Sequence, residues 1–151
     1  MTKELRIELI YSKLKDLKNS LHYVHSFLPS DYKLLDNRKD KNALYKEVEF
    51  AIQLVIDICS VINSDIGKTT PSNEDSIILD LEKEKVISKE ISQKILLIKG
   101  FRNILVHKYG EIDDKRAFED IKHGLKDFEQ IIKEIEKFLS KNKEKPKKKS
   151  K

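Results

Sequence analysis

The sequence predicts an all-α fold, an up-and-down bundle of four long helices with one additional short helix. Three observations carry that expectation. Glycine and proline number only four and three in 151 residues, too little punctuation for the many turns of a sandwich or barrel. Aromatics are 7% of the chain, and Lys, Glu, Ile and Leu dominate, which favours helices. Apolar residues recur at gaps of three and four over long stretches, the period of one face of a helix. A chain of this length is one ordinary domain, with room for a real hydrophobic core but not for two.

The first helix is expected from about Thr2 to Leu28, where Ile7, Ile10, Leu14, Leu17, Leu21, Val24 and Leu28 form a bundle stripe that Pro29 stops. Ser30 to Asp40 reads as a polar connection. The second helix should cover about Lys41 to Asn63. Leu44, Val48, Ala51, Val55, Ile58 and Ile62 make one stripe, and Ile52, Ile56 and Cys59 widen it, as befits a central helix with several neighbours. Asn63 to Gly67 ends it. Pro71-Ser72-Asn73 followed by Glu74 and Asp75 reads as a cap and acidic first turn of a short helix through about Leu81. The fourth helix should start at the N-cap Ser88 and run to about Lys108, before Gly110, with the stripe Ile91, Ile95, Ile98, Arg102, Leu105, Tyr109. The last should start at Asp113 or Asp114 and reach about Ser140, burying Ala117, Ile121, Leu125, Phe128, Ile132, Ile135 and Leu139. Four amphipathic helices of this kind bury their stripes most simply as a bundle.

The formal charge of +5 is unevenly placed. Residues 141–151 hold seven lysines and one glutamate, a net of +6, which leaves −1 for residues 1–140. The folded body, residues 1–140, is therefore not basic. The Lys-rich tail at 141–151 has nothing to bury and is expected to be disordered, a solubilising segment or a loose, salt-dependent holder of RNA or an acidic partner. Cys59 is the only cysteine, so no internal disulfide and no cysteine-rich metal site can form. The N-terminus lacks the roughly 7–15-residue apolar block of a signal peptide, and no stretch approaches the ~18 apolar residues of a membrane span. The expected location is the cytoplasm, with no membrane partner.

Chemistry concentrates in Arg102-Asn103-Ile104-Leu105-Val106-His107-Lys108-Tyr109. An arginine at the next position of an apolar stripe is costly unless its charge is used. Asn103 and His107 are four apart and share a helix face, while Arg102 and Tyr109 are seven apart and nearly eclipse each other. Gly100 just before them permits close approach of another chain. Structural roles compete with functional ones. Arg102 could pair with Asp57 or Glu47 of the second helix, His107 could serve as a charged group at a helix C-terminus, and Tyr109 could pack with its hydroxyl in water. His22, His25 and His123 lack the accompanying ligands of a metal site. No glycine-rich phosphate loop, Gly-x-Ser-x-Gly elbow or Cys/His nucleophile pair is present, and neither a metal nor another cofactor is expected.

The block Gly100 to Tyr109, followed by Ile112-Asp113, resembles the signature of the HepT-like toxins of the HEPN superfamily: Arg, a polar residue, three positions, His, any residue, Tyr. Ala51 to Cys59 resembles that family's second helix, with Asp57 at its acidic position, and the short helix between two long ones also fits. The resemblance covers most of residues 1–140 as one HEPN-like domain. It implies a helical homodimer whose two signature segments face each other in a cleft, and metal-independent RNA cleavage. Cleavage by transesterification needs a base for the ribose 2′-hydroxyl, an acid for the leaving oxygen and a cation against the charge on phosphorus. His107 is then base or acid, Arg102 the stabiliser of the phosphorane, and Asn103 an orienter of phosphate or of His107. The resemblance further implies that Tyr109 accepts AMP from an MNT-type nucleotidyltransferase antitoxin, which blocks the cleft. A non-catalytic helical adaptor that docks a nucleotidyltransferase, or binds nucleotide or RNA, is the alternative. A regulator using only the lysine tail has no recognition element in its favour.

Overall fold

The computed structural model describes residues 4–67 and 70–144, with the backbone alone described for Tyr109, Lys143 and Glu144. Five α-helices follow in order: α1 (Ile7–Phe27), α2 (Arg38–Ile66), α3 (Glu74–Lys83), α4 (Lys89–His107) and α5 (Asp114–Glu144). Two short 3₁₀ turns, Tyr32–Asp36 and Tyr109–Glu111, precede α2 and α5. The described residues contain no strand, and the all-α bundle with a short third helix is the observed fold. The helix α2 packs against α1, α3 and α4, while α5 closes the bundle against α4 and α1.

The stripes read from the sequence are the core. Ile10, Leu14 and Leu17 of α1 and Leu44, Val55, Ile58 and Ile62 of α2 are fully buried. So are Ile95 of α4 and Ile131 and Leu139 of α5. The broad apolar face of α2 is explained by its central position, since Ile52, Ile56 and Cys59 are buried too. Burial in this apolar seam pushes the Cys59 thiol up to about 12, because a thiolate there would lose its hydration.

Helix boundaries differ from the stripes where polar contacts decide them. The helix α1 begins at Ile7, not near Thr2, because Arg6 is held outside it. Its backbone N–H and Nε both donate to Asp65 at 2.9 Å. Asp65 is 1% exposed, and the two charge-assisted bonds satisfy a carboxylate that would otherwise be stranded. The expected polar connection Ser30–Asp40 is more ordered than its composition suggests. Asp31 caps the first 3₁₀ turn through Lys33 N–H at 2.9 Å, Leu35 is buried, and Asn37 accepts from Asp40 N–H at 3.1 Å, so α2 starts at Arg38, three residues early. Gly67 ends α2 with φ +66, the left-handed conformation that glycine adopts freely.

Asn73 and Ser76 form a reciprocal capping box on α3, and Ser88 caps α4 through Ile91 N–H at 3.2 Å. Between them Lys85 sits at φ 62, a left-handed conformation costing a non-glycine residue roughly 1–2 kcal/mol. Asp114, the first residue of α5, accepts from Tyr45 Oη at 2.5 Å and Lys41 Nζ at 3.1 Å. These bonds fix the start of α5 to α2. The helix α5 continues to Glu144, past the expected end at Ser140, so residues 141–144 are helical and not the start of the expected disordered tail. The rest of that expected tail lies outside the described residues. Among the described residues no helix is long and apolar enough to cross a membrane.

Candidate active site

The C-terminal end of α4 inverts the pattern of the rest of the helix. Ile91, Ile95 and Ile98 are buried, as a helix packed on α2 requires. One turn on, the inward position is occupied by Arg102, whose side chain is only 13% exposed. Its Nη2 donates to Glu74 Oε1 at 2.8 Å and to Asn103 Oδ1 at 3.1 Å. Its Nη1 donates to Gln53 Oε1 at 2.6 Å and more weakly to Glu74 Oε2 at 3.5 Å. Helical side chains lean toward the helix N-terminus, which carries the guanidinium back from α4 to the first residue of α3 and the middle of α2.

The arginine thus has an ionic partner, but not one named from the sequence. Glu47 accepts a hydrogen bond from the Ser20 hydroxyl at 2.6 Å. Asp57 reaches Arg102 only through Gln53, whose Nε2 donates to Asp57 Oδ1 at 2.9 Å. Glu74 and Gln53 are the residues that the sequence reading missed. Glu74 was legible as part of the acidic first turn of α3, where a carboxylate also opposes the helix dipole, but its pairing with α4 is a tertiary fact. Gln53 lies inside the block that carries the family resemblance.

Asn103 is half-buried beside Arg102, and His107, the last residue of α4, is exposed. Their four-residue spacing puts them about 40° apart around the helix, whereas Arg102 and His107 are about 140° apart. One copy therefore presents the amide and the imidazole on one side and turns the guanidinium inward. The helix ends without a left-handed glycine. Lys108 donates its N–H to Ile104 O at 2.9 Å, and the 3₁₀ turn Tyr109–Glu111 follows. The side chain of Tyr109, the expected AMP acceptor, lies outside the described residues.

Several apolar side chains of α4 and α2 are exposed. Leu97 and Ile104 are 71% and 45% exposed, as are Val106 and, on α2, Phe50 to about half. A Cβ built on Gly100 would meet nothing within 4 Å, so no contact inside the chain requires a glycine there. Leu97, Gly100 and Ile104 fall at i, i+3 and i+7 on one face of α4. Among the described residues no three His, Cys, Asp or Glu side chains converge as a metal site would require. The raised Cys59 thiol, buried in the core, is not available as a nucleophile.

A helical bundle with an Arg-Asn-x3-His segment closing its fourth helix defines a protein of the HEPN class. The model of the family described as Ribonuclease HepT-like matches residues 10–135, and the chain belongs to this family of ribonucleases. It is 26% identical over 136 residues to tRNA nuclease HepT of Aphanizomenon flos-aquae, covering 90% of this chain and 88% of that one. It is 25% identical over 126 residues to mRNA nuclease HepT of Shewanella oneidensis, covering 83% and 94%. The fold also matches solved structures. YutE of Bacillus subtilis, described as a cytosolic protein of unknown function, superposes with a TM-score of 0.79 at 19% identity, over 97% of both chains. The tri-AMPylated Shewanella oneidensis HEPN toxin in complex with MNT antitoxin gives 0.77 at 22% identity, over 85% of this chain and 96% of that one.

Proposed function

We propose that this chain is the ribonuclease toxin of a toxin–antitoxin pair, cleaving RNA without a metal as a homodimer and silenced by AMP transfer to Tyr109. The observation that carries the reading is the exposed His107 and half-buried Asn103 beside a nearly buried Arg102, at the family's signature position. A single chain supplies one imidazole to this end, but transesterification uses both a base and an acid. Two copies facing through Leu97, Gly100 and Ile104 would bring two His107 side chains together, one to act as base and the other as acid. The neutral imidazole takes the 2′-hydroxyl proton as the oxygen attacks phosphorus, and the imidazolium gives its proton to the departing 5′-oxygen. Asn103 orients the phosphate. Arg102 neutralises charge gathering on phosphorus once that phosphate displaces Glu74 from the guanidinium, an exchange between two anions for one fork of donors.

An AMP group on Tyr109, two residues beyond His107, would put a phosphodiester anion and a purine at the mouth of the same cleft. The tri-AMPylated toxin among the structural relatives supports this route of control, with an MNT-type nucleotidyltransferase as the partner. The tight Arg102–Glu74 pair favours a second reading, a non-catalytic HEPN adaptor that docks the nucleotidyltransferase or binds nucleotide or RNA, because there the arginine would be structural. One experiment separates them. Purified wild-type protein in excess chelator should cleave RNA, and His107→Ala should cut the rate by about 10²–10⁴-fold, the usual contribution of a general acid or base. Absence of cleavage by wild type under those conditions, or equal rates for both proteins, would support the adaptor.

A further inference from the structure

At the other end of α4 the structure holds a second basic feature that the proposed chemistry does not use. The turn from α3 to α4 and the last turns of α5 enclose an open groove of about 430 Å³. Four exposed lysines line it, Lys85, Lys89, Lys137 and Lys141, together with Phe138, which is half-buried and packs in part against the core. Elsewhere the surface lysines Lys18, Lys94 and Lys99 are matched by Glu136, Asp127 and Asp75 at 2.6–3.0 Å. None of the four groove lysines has a side-chain ion pair or hydrogen bond among the described residues. Two acids also line the groove, Glu82 and Glu134, and Glu134 is engaged by the backbone N–H of Ser88 at 2.8 Å. Lys85 occupies its position at φ 62, where glycine would be unstrained.

We infer that this groove docks single-stranded RNA, its lysines holding successive phosphates and Phe138 stacking on a base. Unpaired cations with an aromatic face between them are the arrangement that single strands need, since every base has a π-face and every linkage a charge. The basic track continues in sequence, with six further lysines between residues 143 and 151. Lys137, Phe138, Lys141 and those six lie beyond the family match, which ends at residue 135. The groove lies about 27 Å from His107, the length of α4 at 1.5 Å per residue. An RNA held there presents a more distant part of the same strand to the cleft, and this rests on the ribonuclease reading given above.

The test uses the full chain and a labelled, 2′-O-methylated single strand long enough to span both ends of α4, which keeps phosphates and bases but has no 2′-hydroxyl to attack. Replacing the four lysines together, as Lys85→Gly, Lys89→Ala, Lys137→Ala and Lys141→Ala, should weaken binding at least about tenfold. It should also reduce the slope of log affinity against log salt by roughly 3, at ~0.7 per phosphate contact on a single strand. Phe138→Leu should weaken binding several-fold with the slope unchanged. The same number of alanines at the exposed Lys15, Lys33, Lys122 and Lys126 should do much less. Equal losses from the two sets, or unchanged affinity and slope in the groove variant, would overturn the proposal. Wild type that binds through the groove yet cleaves no RNA would leave the groove standing and remove the ribonuclease reading. Wild type that cleaves long RNA with the same KM as the groove variant would do the reverse.

Discussion

The α1–α2 seam and the last three turns of α4 are written in similar residues and place them oppositely. In the seam Ile10, Leu14, Leu17, Leu44, Val55 and Ile58 are sealed from water, and the polar side chains buried at its edges, Ser20 and Asp65, are matched by Glu47 and Arg6. In α4 the apolar Leu97, Ile104 and Val106 stand in solvent while Arg102 is drawn inward to Glu74 and Gln53. The seam is organised for stability within one chain. The end of α4 is poorly organised for that purpose, because it exposes what a monomer should bury and buries a charge that a monomer must compensate. An element that fails locally in a chain otherwise consistent from stripe to cap is where function is expected.

Substitutions should separate the two regions. The largest effect on stability belongs to the seam. Ile58→Ala removes a fully buried side chain and should lower unfolding free energy by roughly 2–5 kcal/mol, read by chemical denaturation. Leu97→Asp, at the exposed face of α4, should leave unfolding within about 0.5 kcal/mol of wild type. It should nevertheless raise the dimer dissociation constant more than about tenfold in analytical ultracentrifugation, because a charge would be buried at the contact. A monomer whose association is insensitive to Leu97→Asp would remove this face from the site. Gly100→Ala gives the smallest and most diagnostic change. The added methyl meets nothing within the chain, so the monomer should gain about 0.5–1 kcal/mol from helix propensity, while dimerisation weakens. Stabilisation with unchanged association would mean that Gly100 admits no second copy.

The seam was legible in the sequence because spacing alone determines which side of a long helix is buried, and Ser88, Asn73 and Gly67 mark ends through local bonds that neighbouring residues supply. The same logic failed where distant residues decide. Leu35 lies in a stretch whose composition reads as a polar connection, yet packing against the bundle buries it. Asp65 holds Arg6 from 59 residues away, which no periodicity announces. In the site, Arg102, Asn103 and His107 stood out as chemistry interrupting a stripe, and the family signature gave them roles. The partner of Arg102 did not stand out. Asp57 and Glu47 were equally plausible on α2, and the choice of Glu74 depends on how α3 lies across α4. That choice matters for the proposed mechanism, in which Glu74 is the anion that an RNA phosphate has to displace.

The central claim is that one chain carries half of a nuclease site. The most direct measurement is RNA cleavage after subunit exchange between wild type and an excess of His107→Ala. If two imidazoles from two chains act together, a wild-type subunit paired with a variant is inactive. Activity per wild-type subunit should then fall about tenfold when wild type is about a tenth of the mixture, in proportion to its chance of meeting another wild-type copy. Activity per wild-type subunit that stays constant through the titration would show that each chain cleaves alone and would contradict the account.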